Sequence, residues 1–174
     1  MRHPRSSNHL TKLAVESEPF GPPLIGALLR NPWEAVQRHM LERLHEHGFQ
    51  DFDAAYLPVF GYPGPQGARP SELAGRLRMS KQALNYLLGR LERSGYLERQ
   101  PHPDDLRSKR IALTPRGVAA VKVIRDAVSE IEDSWAELLG SKRFSQLRKL
   151  LQDLGRLAQP PPEGGGGPNG ALLP

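Results

Sequence analysis

The amino-acid sequence predicts a mainly α-helical chain with one small β-hairpin, a helix-turn-helix followed by a wing and flanked by N- and C-terminal dimerisation helices. Three observations point there. Two short amphipathic helices with a tight turn between them fit residues 70–93. Two β-like runs, Tyr96 to Gln100 and Ser108 to Leu113, follow directly around a turn rich in Pro and Asp. Long amphipathic stretches at 31–47 and 114–158 carry apolar stripes that need partners.

Residues 1–22 mix His, Pro, Arg, Ser and Glu and read as a flexible arm. A single domain over residues 23–159 is expected next, since 174 residues suffice for one proper core. Leu24 to Arg30 suits a short helical stretch. Asn31 then caps, and Pro32 starts, a helix reaching His47, because a first-turn proline has no hydrogen bond to lose. Trp33, Val36, Met40, Leu41 and Leu44 recur at three- and four-residue steps and form its buried stripe, and Gly48 ends it. A shorter helix is expected at 52–60, followed by the linker GYPGPQGAR.

The DNA-sized module spans 69–113. Pro70 suits a first helical position and Glu72 the positive end of that helix, which runs to Arg78. Met79 and Ser80 break the pattern, and the Ser80 hydroxyl caps a second helix that runs to Arg93 and stops at Gly95. Its apolar side holds Ala83, Leu84, Leu87, Leu88 and Leu91. Its other side holds Lys81, Gln82, Asn85, Tyr86, Gly89 and Arg93. Amide, hydroxyl and cationic groups on one helix face suit the base edges of a major groove. An isolated face of this kind is more often plain solvated surface. In the hairpin, Ile111 and Leu113 alternate with Arg110 and Ala112.

After the hairpin, Thr114 caps and Pro115 starts a long helix. Val118, Val121, Ile124 (or Arg125), Val128, Ile131, Trp135 and Leu138 keep a near-heptad beat along it. Gly140-Ser141 breaks and recaps the chain. A last helix carries Phe144, Leu147, Leu150, Leu151, Leu154 and Leu157. Residues 160–174 are rich in Pro and Gly and read as a disordered tail.

Charge is placed unevenly. Residues 69–110 hold ten Lys or Arg and five acids, a net +5 that equals the charge of the whole chain. The rest cancels at fourteen of each sign. With a pI near 9.8, basic charge gathered on one module is the footprint of a polyanion binder.

Several classes are disfavoured. No cysteine is present, which excludes a disulfide or thiol switch in this chain and fits a cytoplasmic setting. No apolar run approaches a membrane span, and the first twenty residues lack the apolar core of a signal peptide. His39, His45 and His47 are spaced six and two apart, so their rings diverge on a helix, and no metal or cofactor site is expected. No phosphate loop, carboxylate pair or nucleophile with its base suggests an enzyme.

The run from Pro70 to Gly117 resembles the DNA-binding core of the MarR (multiple antibiotic resistance regulator) family. SELAGRL, LERSGYLER, the wing DDLRSKR and the LTPRG opening the next helix carry the resemblance over about fifty residues. Asn85 and Tyr86 stand where that family often has a small hydroxyl residue and a basic one, which leaves the operator sequence open. The resemblance implies a homodimeric, sequence-specific regulator that binds double-stranded DNA at an inverted repeat, with a ligand-responsive repressor as the leading form. Expected DNA contacts are Arg69, Ser71, Ser80, Lys81, Gln82, Asn85, Tyr86, Arg90, Arg107, Lys109 and Arg110. Asp105-Leu106-Arg107 is similar to the family's Asp-x-Arg wing element, whose arginine enters the minor groove. A hairpin tip beside a recognition helix also lies over a groove whose negative potential favours guanidinium. Trp33, Tyr56 and Phe60 are candidates to line a pocket for a small aromatic effector. The competing reading is a winged helix used as a protein-interaction or architectural module without sequence-specific DNA binding.

Overall fold

The structure, a computed structural model, describes residues 21–61, 64–102 and 105–158, without the side chains of 105–107. Most of the expected arm, the turn residues 103 and 104, and all but the start of the region beyond Leu157 lie outside the described residues. Helix α1 spans Ile25–Glu46, a single 3-10 turn spans Ala54–Tyr56, and α2 spans Leu57–Phe60. Helices α3 (Pro70–Leu77) and α4 (Lys81–Arg93) lead into strands β1 (Leu97–His102) and β2 (Asp105–Leu113). Helices α5 (Pro115–Leu139) and α6 (Ser141–Leu157) complete the order. This is the expected mainly helical chain with one antiparallel hairpin. Backbone contacts divide it into two compact units, with the boundary between Val128 and Ser129 inside α5.

Helix α1 runs unbroken through Pro32, so Asn31 is a helical residue and not a cap. The proline removes one backbone bond of the helix. Arg30 and Glu34 approach to 4.0 Å across it, one turn apart. The helix ends as expected. Phe49 N–H bonds the Leu44 carbonyl at 3.0 Å and Gly48 N–H bonds that of His45 at 3.1 Å, with Gly48 at φ +88°. The same closure ends α4, where Tyr96 N–H reaches Leu91 O and Gly95 N–H reaches Glu92 O. The expected helix at 52–60 divides into the 3-10 turn and α2, and the Asp53 side chain accepts from Ala55 N–H at 2.9 Å.

The turn between α3 and α4 departs from simple chemistry. Arg78 occupies the left-handed region at φ 51°, ψ 39°. Met79 N–H bonds Ala74 O and Arg78 N–H bonds Gly75 O, so an arginine fills a place usually taken by glycine. The Ser80 hydroxyl accepts from Ala83 N–H at 3.1 Å and starts α4 as anticipated.

The strands are longer than the sequence suggests. Both extend into the Pro- and Asp-rich turn, so Pro101 pairs with Lys109 and Asp105-Leu106-Arg107 belong to β2. Leu97 pairs with Leu113 and the register holds to Pro101, then shifts so that His102 pairs with Asp105. A two-stranded ribbon tolerates proline because each strand has an unpaired edge. Part of the edge of β2 is covered by the linker, where Ile111 N–H bonds Ala68 O and Gly67 N–H bonds Ile111 O. No hydrophobic alternation marks that linker, so periodicity could not reveal the pairing.

The core of the first unit joins α1 (Met40, Leu44), α3 (Leu73), α4 (Leu84, Leu87, Leu88, Leu91), the hairpin (Leu97, Ile111) and the start of α5. Phe52 sits among aromatic rings, 5.5 Å from Tyr56, 5.3 Å from Phe60 and 5.2 Å from Tyr96, each edge to face. The stripe that α5 buries is Gly117, Ala120, Ile124 and Ala127, while Val118 is exposed. Of the expected stripe, Ile124 is buried and Val121 and Val128 pack partly buried against the core, and small residues complete the buried side. The approach is close at Gly117, where a Cβ would lie 2.0 Å from the Tyr96 carbonyl oxygen.

In the second unit, the break at Gly140-Ser141 falls as expected, with Gly140 the N-cap of α6 and Ser141 its first helical residue. Arg148 of α6 bonds Glu132 of α5. Phe144 is buried, whereas Leu138, Leu147, Leu150, Leu151, Leu154 and Leu157 are exposed.

Candidate nucleic-acid interface

Helix α4 presents two faces because its sequence does. Leu84, Leu87, Leu88 and Leu91 enter the core, and that fixes which side is left outside. On the outer side Lys81, Gln82, Asn85 and Tyr86 are exposed, Tyr86 by 68%. Ala83, expected on the apolar side, is exposed as well. Its methyl group and the half-buried Gly89 leave this surface shallow enough for a close-fitting partner.

The starts of α3 and α4 come together. Ser71, Lys81 and Asn85, with Pro70 and Leu84, line a cleft of about 140 Å³. The Glu72 carboxylate accepts from Arg69 N–H at 3.0 Å and holds the first turn of α3. Ser71 and Ser80 are exposed beside the cleft and at the cap of α4. These groups offer hydroxyl, amide and ammonium donors next to two helix starts, a combination suited to phosphate oxygens.

The basic residues divide by what holds them. Lys109 is exposed on β2. Arg110 is half-buried, donates to Gln100 Oε1 at 3.0 Å across the hairpin, and has a buried Nε without a hydrogen-bond partner among the described residues. Arg69 is likewise half-buried with such an Nε. Arg90 pairs with Asp53, 3.3 Å from its Oδ2, and its guanidinium lies 5.2 Å from the Tyr56 ring centre. These contacts join α4 to the 3-10 turn. Arg107 lies on the backbone of β2, and its side chain is outside the described residues.

Arg99, absent from the expected contacts, belongs to this surface. Its Nη2 donates to Asn85 Oδ1 at 3.4 Å and its Nε lies 3.3 Å from Glu92 Oε1. It is one of the ten basic residues in 69–110, and the packing of β1 beside α4 gives it its partners. Behind the hairpin, Tyr96 donates to Asp51 Oδ1 at 2.8 Å, and the Arg116 guanidinium meets the same carboxylate and covers the Tyr96 ring at 4.7 Å. Burial, with the bond to Asp51 assisting, pushes the Tyr96 hydroxyl up to about 12. The Thr114 hydroxyl donates to Gly95 O and accepts from Gly117 N–H, tying the end of α4 to the start of α5.

Of the three candidate pocket residues, Tyr56 and Phe60 are buried against Phe52, while Trp33 is 55% exposed on α1. His45 Nε2 donates to Phe52 O and His47 Nδ1 to Arg43 O. Among the described residues no group of three or more potential metal ligands converges, and no helix is long and apolar enough to cross a membrane.

Comparison with known proteins agrees with this geometry. Residues 61–108 match the model of the MarR family. YkoM, an HTH-type transcriptional regulator of Bacillus subtilis, is 32% identical over 85 residues, which cover 49% of this chain and 54% of that protein. The match thus spans about half the length of that relative. The transcriptional repressor CouR, solved bound to a 23-mer DNA duplex, is 26% identical with a TM-score of 0.59, covering 76% of this chain and 93% of CouR. MarR from Escherichia coli in its apo form is 25% identical with a TM-score of 0.59, covering 76% of this chain and 98% of MarR. The family match falls on the helix-turn-helix and wing, and the likeness in fold extends over most of the described chain: residues 61–108 resemble the MarR family, and the fold is that of MarR-family winged helix-turn-helix structures.

Proposed function

We propose that this chain is a homodimeric regulator of transcription that binds double-stranded DNA at specific sequences in the cytoplasm, acting as a repressor that answers to a small ligand. The observation that carries the reading is the outer face of α4, where Lys81, Gln82, Asn85 and Tyr86 stand exposed on the module that holds the chain's net charge. A helix held rigidly by four buried leucines, with donors and acceptors outward, is built to enter a major groove. Ser71, Lys81 and Lys109 supply phosphate contacts beside it. CouR, bound to duplex DNA and named a repressor, supports both the partner and the sign of regulation. YkoM, an HTH-type transcriptional regulator, supports a role in the regulation of transcription.

Dimerisation is supported by apolar surface that a single chain leaves uncovered. Leu24, Ile25, Leu28, Leu29 and Trp33 are exposed on and just before α1, and five leucines are exposed on α6. The ligand-responsive part of the proposal, with a small aromatic effector, rests on the family resemblance, Trp33 being the accessible member of the three aromatic candidates. A footprint of the full chain on the DNA upstream of its own gene tests the function. Protection of an inverted repeat with half-sites about 10 bp apart is expected. Equal binding to all sequences would overturn it in favour of an architectural module.

A further inference from the structure

We infer that Arg99 sets which base Asn85 reads, an inference that rests on the DNA-binding reading above. Asn85 and Glu92 are seven residues apart on α4, two turns along one stripe. Arg99 of β1 engages both, with Nη2 3.4 Å from Asn85 Oδ1 and Nε 3.3 Å from Glu92 Oε1. Both charged side chains are about one-third exposed, 33% for Arg99 and 31% for Glu92, so the pair is sheltered relative to the open surface of α4.

A guanidinium has donors only. The amide atom of Asn85 that faces it is therefore the oxygen, and the amide nitrogen is turned away. An asparagine with both ends free reads adenine, donating to N7 and accepting from the N6 amine. With Oδ1 facing Arg99, the Asn85 amide is oriented so that its nitrogen points away and presents two N–H donors. The major-groove edge that suits two donors is that of guanine, where N7 and O6 both accept. Glu92 fixes the guanidinium and offsets part of its charge, so Arg99 acts here by orienting Asn85 rather than by neutralising phosphate. Arg99 is thus a positioning residue for base readout.

The test is a selection from duplexes with randomised half-sites, using the full chain, Asn85→Ala, Arg99→Leu and Arg99→Lys. Asn85→Ala identifies the half-site position that Asn85 reads by flattening preference there. At that position the parent protein should favour guanine. Arg99→Leu, which keeps a stem to pack, should turn the preference to adenine by about tenfold, the size of a good bidentate contact. Arg99→Lys keeps a donor and should retain guanine. The preference is a ratio between bases, so a uniform loss of affinity from removing one charge does not move it. If Arg99→Leu keeps the parent's preference, or the parent favours adenine there, the inference is wrong while DNA recognition stands. If no sequence is enriched by the parent protein, the DNA-binding reading fails and the inference with it.

Discussion

At Gly117 a single hydrogen atom decides how closely α5 approaches the hairpin. A Cβ there would meet the Tyr96 carbonyl oxygen at 2.0 Å and Leu113 Cδ2 at 3.0 Å. Backbone cannot swing aside as a flexible side chain does, so α5 would have to move. Gly117→Ala should cost about 1–3 kcal/mol, the usual range for overpacking, read as a lower denaturant midpoint with an unchanged slope. Tyr96 itself makes a second testable point. Its hydroxyl, buried and bonded to Asp51, titrates near 12 instead of the ordinary 10.0. A raised value favours the protonated form of the folded chain. The stabilisation is therefore complete below pH 10 and is lost as pH rises towards 12. Melting temperature against pH should fall across that window, and Tyr96→Phe should flatten this part of the fall, since no hydroxyl remains to ionise.

The helices of the DNA module were legible because their signals are local. Ser80 caps, Gly95 closes, and the leucines between them recur at helical spacing, so α4 is found where the sequence puts it. Helix α1 is different. Asn31-Pro32 reads as a start, yet the helix continues through it from Ile25 to Glu46. In the wing, Pro101 and Asp105 read as turn residues, but a ribbon with open edges lets them join strands. This places Arg107 on β2 near the hairpin turn, in agreement with its resemblance to the family's wing arginine. Arg107→Ala should therefore weaken operator binding by roughly 1–3 kcal/mol, by analogy with a good base contact. It should leave dimer formation and melting temperature nearly unchanged, because a wing tip contributes little to the core. Titration of labelled operator checks the first expectation and thermal melting the second. Equal affinity of variant and parent would remove Arg107 from the interface.

Charge and apolar surface act on the molecule as a whole. Half of the ten basic residues in 69–110 would give a dimer about ten phosphate contacts, so affinity should fall by roughly 10³–10⁵ between 50 and 200 mM salt. A nearly flat response would exclude duplex binding through this surface. The exposed leucines of α6 lead to a separate expectation. A chain ending at Gly140 lacks that helix, so it should sediment as a monomer and lose specific DNA binding at the same time. A truncated monomer that still protects an inverted repeat would show that the two properties are independent.

Helix identities, caps, the order of elements and the concentration of positive charge can all be read from the amino-acid sequence alone. Each depends on neighbours within a turn or two of chain, as with Ser80 on Ala83 N–H or Gly48 after Leu44. Longer-range choices required the folded chain. The sequence shows Arg90 and Arg99 as two similar cations, but packing pairs Arg90 with Asp53 and lays Arg99 against Asn85. The apolar beat of α5 marks a buried side that Ile124, Val121 and Val128 do join, but only the folded chain shows that Ala120 and Ala127 complete it, that Val118 lies outside and that Gly117 passes the hairpin closely. Periodicity says that a helix has a buried face. The distance to the neighbouring backbone decides which face it is, because small residues permit an approach that larger ones forbid.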